Sequence, residues 1–149
     1  MMALRIDEAE KDLSGAVQYL LDHAATTGDK VGVVGFCMGG ALSLYTATKN
    51  SNIGACAVFY GGHPKVKPDL PNLHAPVLSL SGDRDKSVTP DVVHKLEREL
   101  KSLGKQVDVI IYADADHAFF NDTRPAVYNP EASGDAWRRT IDFFRKHLG

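Results

Sequence analysis

A cysteine stands at the apex of a glycine-rich turn between an apolar run and a helical pattern. The apolar run is Val31–Val34, the turn is Gly35-Phe36-Cys37-Met38-Gly39-Gly40, and the helical pattern begins at Ala41. A turn this tight strains the backbone of its apex residue, and the glycines avoid collisions with the strand and helix beside it. The apex side chain is lifted above the end of the strand, where the positive helix N-terminus favours a thiolate. The turn therefore predicts a nucleophilic cysteine at position 37.

Helical and strand patterns alternate along the whole chain. We predict helices over residues 7–24, 38–49, 90–103 and 131–147, with Thr89 as the N-cap of the third, and strands over 31–36, 55–60, 77–81 and 107–112. The periodicity predicts that the third helix buries Val92, Val93, Leu96, Leu100 and Leu103, and the last helix Ala136, Trp137, Ile141, Phe144 and Leu148. The alternation predicts an α/β fold, a parallel sheet of about four strands flanked by helices. Functional residues then lie at the carboxyl ends of the strands.

Length and composition exclude several classes of protein. The 149 residues fit one domain over 1–149, and the net charge of −2 with a pI of about 6.3 indicates neither nucleic-acid nor membrane-surface binding. The sequence has no apolar run near the roughly 18 residues of a membrane span and no signal-peptide pattern. Two cysteines, Cys37 and Cys56, give no disulfide framework, so a cytoplasmic location is expected.

Two further candidate catalytic residues follow later predicted strands, in an order that indicates a catalytic triad. Asp85 follows the third strand and His117 follows the fourth, so the chain order is nucleophile, acid, histidine, as in the α/β-hydrolases. His117 is then the general base for Cys37, and the acid orients the imidazole. Cys37 forms an acyl-enzyme that water hydrolyses. Asp83 is the rival for the acid, although the Gly-x-x-Asp spacing from Gly82 favours Asp85.

Other interpretations of these residues remain open. Cys56 lies within a predicted strand and is expected to be a core thiol. Asp114, Asp116 and His117 could suggest a metal site, but no second histidine or glutamate lies nearby at ligand spacing. We therefore expect no metal and no cofactor.

Several motifs together resemble one family. They are Gly35–Gly40, Phe59-Tyr60-Gly61-Gly62, Ala75–Leu78 leading into Gly82–Asp85, His117–Asp122 and Ala136–Phe144. The chain resembles the C-terminal part of the dienelactone hydrolases (carboxymethylenebutenolidases), which cleave enol-lactones and small esters. The resemblance implies Cys37 as nucleophile, Asp85 as acid and His117 as base. The backbone N–H of Met38 is the expected oxyanion donor.

The resemblance also suggests a substrate pocket. Tyr60 is expected beside it, although a buried tyrosine at a strand end is equally well explained as a core residue. Phe36, next to the cysteine, and Phe119, two residues after the histidine, are expected to bind substrate as well.

Family members carry further strands before the first helix, and this chain is expected to lack them. The strand at 31–36 then becomes an exposed apolar edge, which is a hazard for aggregation. We expect a second copy of the chain, a complementing N-terminal fragment or a rearrangement to cover that edge. A start codon upstream of Met1 is a further alternative.

Two functions therefore follow from the sequence. The first is a hydrolase of small esters or lactones, of the dienelactone type, that uses a Cys-Asp-His triad. The alternative is a weakly active or inactive half-hydrolase that acts as an assembly or binding subunit. The three catalytic residue types in order favour the first, and the incomplete pocket favours the second.

Overall fold

A computed structural model describes residues 4–149 as four strands and four α-helices that alternate along the chain. The helices are α1 (Ile6–Asp22), α2 (Met38–Lys49), α3 (Pro90–Ser102) and α4 (Pro130–Leu148), and the strands are β1 (Val31–Phe36), β2 (Ile53–Phe59), β3 (Val77–Gly82) and β4 (Val107–Tyr112). A short 3₁₀ turn, Leu70–Asn72, interrupts the loop between β2 and β3. The predicted elements are confirmed, with boundaries shifted by at most two residues.

The four strands form one parallel sheet in the order β1-β2-β3-β4. The two central strands are buried along almost their whole length, which suits the continuous apolar runs of parallel strands. One edge of β1 pairs with β2, and its other edge has no strand beside it among residues 4–149. Within the described part of the chain, β1 is therefore an edge strand of the sheet.

Side chains alternate between the two faces of the sheet and build two cores. On one face, Cys56 and Val58 pack with Val17 of α1, Leu44 of α2 and Leu100 of α3. On the other face, α4 covers the sheet. The core between them includes Ala55, Phe59, Leu80, Phe119, Ala136 and Phe143. The predicted three-layer α/β arrangement is therefore confirmed.

The predicted inner faces of two helices need correction. Val92 and Leu103 of the third helical segment are 49% and 39% exposed, and Trp137 of α4 is 45% exposed. The predicted burial of Val93, next to Val92, and of Ala136, next to Trp137, is confirmed. Each residue of a helix is rotated by about 100° from the one before, so an adjacent apolar residue leaves the buried stripe. The exposure of Trp137 places an indole at the surface of the molecule.

Candidate active site

The turn after β1 holds Cys37 in a backbone conformation that L-residues rarely adopt. Its φ and ψ are 53° and −119°. The Cys37 N–H donates to the carbonyl of Phe59 at 3.0 Å, and the Cys37 carbonyl accepts from the N–H groups of Gly40 and Ala41. These hydrogen bonds hold the strained residue between the end of β1 and the first turn of α2. The side chain is exposed at the carboxyl edge of the sheet.

The glycines of this turn are not equivalent. A Cβ on Gly35 would lie 2.1 Å from the carbonyl oxygen of Gly39, which no side chain can tolerate. A Cβ on Gly40 would lie 2.9 Å from the Cα of Gly61, where the loop after β2 passes close to α2. Gly39 has open space around it. The collision argument from the sequence therefore holds for Gly35 and Gly40 and is wrong for Gly39.

The loops after β3 and β4 are tied to each other. Arg84 donates from its N–H to the carbonyl of Ala115 at 3.0 Å, and Asp83 donates likewise to Tyr112. A Cβ on Gly82 would lie 2.1 Å from the Ala115 oxygen, so only glycine permits this approach. This close approach brings Asp85, the residue after Arg84, next to His117.

Cys37, His117 and Asp85 form one hydrogen-bonded chain. His117 Nε2 lies 3.2 Å from the Cys37 sulfur, and His117 Nδ1 lies 2.7 Å from Asp85 Oδ2. The other carboxylate oxygen, Asp85 Oδ1, accepts from the N–H groups of Ser87 at 2.7 Å and Val88 at 2.8 Å. Asp85 is 2% exposed and is the acid hydrogen-bonded to His117, whereas its rival Asp83 is exposed. The structure therefore brings together the three residues chosen from the sequence.

The second cysteine lies in a different environment. Cys56 is fully buried within β2, and burial raises the pKa of its thiol to about 12. A thiol with that pKa stays protonated and unreactive near neutral pH. The prediction that Cys56 is a core residue is confirmed.

Among residues 4–149, no cluster of His, Cys, Asp and Glu side chains has the arrangement of a metal site. Asp114, one of the residues considered for a metal, forms an ion pair with Arg84 at the surface. That pairing gives the Asp114 carboxylate a role in tying the two loops together.

A donor for an oxyanion is available beside the sulfur. Met38 is the first residue of α2, and an N–H at that position has no partner within the helix. The helix N-terminus also carries a partial positive charge. The Met38 N–H is therefore suited to a developing negative charge on a substrate oxygen.

Tyr60 lies directly beside the histidine. Its ring packs edge-on against the imidazole of His117, with centroids 5.1 Å apart, and its backbone φ is 38°. Burial and, to a lesser extent, the nearby Cys37 raise the pKa of the Tyr60 phenol to about 12. The phenol therefore remains a neutral hydrogen-bond donor near neutral pH.

A pocket of about 580 Å³ opens beside this chain of residues. Its walls include Phe36 and Tyr60, as expected from the sequence, and also Phe120, Tyr128 and Trp137. The expectation for Phe119 needs correction, because its side chain is fully buried in the core under α4. Ala118 has a φ of 65°, so the chain turns sharply there and exposes Phe120 in place of Phe119.

Sequence reasoning missed three of these pocket residues for identifiable reasons. Phe120 and Phe119 are adjacent aromatic residues, and only the turn at Ala118 decides between them. Trp137 occupies a helical position beside the buried stripe, and Tyr128 lies in a loop without periodicity. The signal that could have found them is the run of aromatic residues that follows His117 in the sequence, from Phe119 to Trp137.

Comparison with known proteins decides the family. A model of the dienelactone hydrolase family matches residues 1–148. The chain belongs to this family. It is 35% identical, over 99% of its own length, to Protein usf of Aquifex pyrophilus, and 30% identical over 99% to a carboxymethylenebutenolidase-like protein of Aquifex aeolicus. It covers 64% of the length of each of these relatives.

A solved structure of a dienelactone hydrolase-like protein from Klebsiella pneumoniae has the same fold. It superimposes with a TM-score of 0.85 and 28% identity over 95% of this chain and 62% of that one. The chain therefore spans less than two thirds of the length of these related proteins. Four parallel strands flanked by helices match the α/β fold of this dienelactone hydrolase-like neighbour. The chain is thus a member of a hydrolase family of the carboxymethylenebutenolidase type.

Among residues 4–149, no helix has the length and apolar character required to cross a bilayer.

Proposed function

We propose that this protein hydrolyses small esters or lactones through a covalent acyl-enzyme on Cys37. The observation that carries the proposal is the hydrogen-bonded chain from the Cys37 sulfur through His117 to the buried Asp85 carboxylate. Thiol, imidazole and carboxylate in that order are the components of a nucleophile, its base and the group that orients the base. Membership of a hydrolase family supports the same chemistry.

In the first half of the proposed reaction, His117 Nε2 takes the thiol proton as the Cys37 sulfur attacks the carbonyl carbon. The negative charge on the carbonyl oxygen is stabilised by the N–H of Met38. As the tetrahedral intermediate collapses, the bond to the leaving oxygen breaks and His117 returns the proton to that oxygen. An alcohol leaves, or in a lactone the ring opens, and the acyl group remains on sulfur as a thioester.

In the second half, His117 takes a proton from water, and the resulting hydroxide attacks the thioester carbonyl. Collapse of this intermediate releases the carboxylic acid and restores the Cys37 thiol. Asp85 does not exchange a proton in either half. Its two N–H donors fix the carboxylate, and the carboxylate keeps the imidazole proton on Nδ1 so that Nε2 faces the sulfur.

Hydrolysis of a p-nitrophenyl ester by purified protein tests this proposal. We expect Cys37→Ala to lower the rate by about 10³-fold or more, because the nucleophile is removed. Cys56→Ala is the matched control, since it deletes the buried sulfur and should leave the rate within about threefold. Equal rates for the unaltered protein and Cys37→Ala would rule out catalysis through Cys37.

A second proposal concerns assembly, and the unpaired edge of β1 favours it. We propose that a second copy of the chain, or a fragment supplied from the N-terminal part of a family member, pairs with this edge. Unpaired backbone N–H and C=O groups along a strand are a template for such pairing. A binding or assembly role alongside weak catalysis remains the alternative function.

A further inference from the structure

The pocket that Phe36 and Tyr60 line beside the candidate site is rich in aromatic rings, and within residues 4–149 its lining includes no cationic side chain. Of its ten lining residues, five are aromatic and none is Lys, Arg or His: Phe36, Tyr60, Phe120, Tyr128 and Trp137. The one charged lining residue, Asp122, is an acid. We propose, building on the acyl-enzyme mechanism, that the pocket takes an uncharged aryl or arylalkyl group of the ester and disfavours a carboxylate there.

The rings form a continuous path away from the catalytic histidine. Tyr60 contacts the His117 ring, and the Tyr60 and Phe36 rings lie 6.2 Å apart. Phe120 lies 5.2 Å from Phe36 and 6.0 Å from Trp137. Tilted ring pairs at these distances leave faces and edges available for a further aromatic group. A substituent on the acyl group attached to Cys37 can therefore extend along this path.

Exposure of two of these side chains supports a ligand site. Phe36 and Trp137 are 36% and 45% exposed, although both rings pack against Phe120. Large apolar side chains exposed in one contiguous patch mark binding surfaces. The volume of about 580 Å³ falls within the range of small-molecule sites, roughly 300–1,000 Å³.

The charge of the lining opposes an anionic substituent. A carboxylate in this pocket would lose hydration without gaining an ion pair, and it would approach the Asp122 carboxylate. Asn121 and Ser133 also line the pocket, and their uncharged amide and hydroxyl groups can form hydrogen bonds with neutral polar groups as well as with a carboxylate. An uncharged aromatic ring meets no such penalty and buries apolar area. The lining thus departs from the anionic substrate that the name carboxymethylenebutenolidase describes.

Two matched esters test this proposal, p-nitrophenyl 3-phenylpropanoate and its para-carboxy derivative. They share a leaving group and differ in one charge. We expect kcat/KM to be at least about tenfold higher for the uncharged ester, because the added carboxylate approaches Asp122 and gains no ion pair from the lining. Asp122→Asn should lower the ratio of kcat/KM for the uncharged ester to kcat/KM for the carboxy ester. Asp122→Lys should raise kcat/KM for the carboxy ester. Asp83→Asn and Asp83→Lys are matched controls at an exposed acid outside the pocket, and they should leave the ratio unchanged.

A binding measurement separates this proposal from the proposed mechanism. Trp137 is the only tryptophan of the chain, so its fluorescence reports on the pocket directly. In Cys37→Ala, which cannot form the acyl-enzyme, methyl 3-phenylpropanoate should change the emission at lower concentration than its para-carboxy derivative. If no ester is hydrolysed but this preference is seen, the mechanism fails and the pocket proposal stands. Equal or tighter binding of the carboxy ester, or no emission change with either probe, would overturn the pocket proposal.

Discussion

At the scale of single residues, the two cysteines have opposite environments. Cys56 is enclosed in the sheet, and burial keeps the pKa of its thiol near 12. Cys37 is exposed, in contact with an imidazole, and held at a positive φ that costs on the order of 1–3 kcal/mol. Such strain persists only where the surrounding structure fixes it, and it concentrates at functional sites. Backbone conformation and contacts thus separate two residues of identical chemistry.

The acid can be tested at the same scale by Asp85→Asn. An amide at this position can present its N–H₂ group to His117 Nδ1, which favours the tautomer with the proton on Nε2 and removes the base for Cys37. We expect kcat for a p-nitrophenyl ester to fall by about 10²–10⁴-fold. Asp83→Asn changes an exposed acid two residues away and should leave kcat unchanged within about twofold. Equal effects of the two substitutions would mean that Asp85 has no role in orienting the histidine.

The sequence identified Cys37, Asp85 and His117 because each follows a strand of a parallel sheet. Strand ends meet at one edge, so chain order alone limits the candidates. The prediction of Phe119 rather than Phe120 as a pocket residue was wrong, since the left-handed residue Ala118 sets which ring faces the pocket. Local backbone turns of that kind have no apolar periodicity to reveal them.

At the scale of elements, the turn between β1 and α2 depends more on Gly35 than on Gly39. Gly35 lies where a Cβ would meet the Gly39 carbonyl at 2.1 Å, whereas a Cβ on Gly39 meets nothing within 4 Å. The strand, the turn and the helix can therefore approach only if position 35 lacks a side chain. The family motif contains both glycines, but packing requires only the first of this pair.

We expect Gly35→Ala to destabilise the protein by about 3 kcal/mol or more, because backbone atoms must move apart to relieve the overlap. Gly39→Ala, at a helical position with free space, should change stability by about 1 kcal/mol or less. Urea unfolding followed by circular dichroism measures both. A Gly35→Ala protein as stable as Gly39→Ala would contradict the geometry of the turn.

Element types and order were predictable because apolar periodicity and stop signals are local. The strands 31–36 and 107–112 and the helix 38–49 match the structure residue for residue. The inner faces of the third and fourth helices were predicted less well. Val92 and Trp137 each precede or follow a buried residue, and sequence spacing alone does not fix the rotation of a helix on a sheet.

At the scale of the whole molecule, the sheet formed by residues 4–149 has two edge strands, β1 and β4, and β1 runs directly into the turn of Cys37. The edge strand at the other side, β4, is the last of the sheet and ends at the loop of His117. The hydrophobic pattern predicts that β1 belongs in a sheet, but it carries no information about whether another chain pairs with its free edge. The proposed pairing therefore rests on the position of β1 at the edge of the sheet and not on the sequence pattern.

We expect the purified chain to self-associate, because an unpaired β1 edge invites strand addition. Sedimentation velocity at micromolar concentrations should give a species of at least twice the chain mass of 16.2 kDa. Addition of an N-terminal fragment from a related family member should shift that species toward a complex of chain and fragment. A monomer throughout the micromolar range, with or without the fragment, contradicts the assembly proposal.

The central claim, that Cys37 carries the acyl group, is tested most directly by trapping the intermediate. With an activated p-nitrophenyl ester the leaving group departs readily, so we expect loss of the acyl group from sulfur to be the slow step and the acyl-enzyme to accumulate. We expect acid quenching during turnover, followed by peptide mass spectrometry, to find one acyl group on Cys37 and none on buried Cys56. Turnover with an acyl group on another residue, or with Cys37 unmodified, would contradict the account.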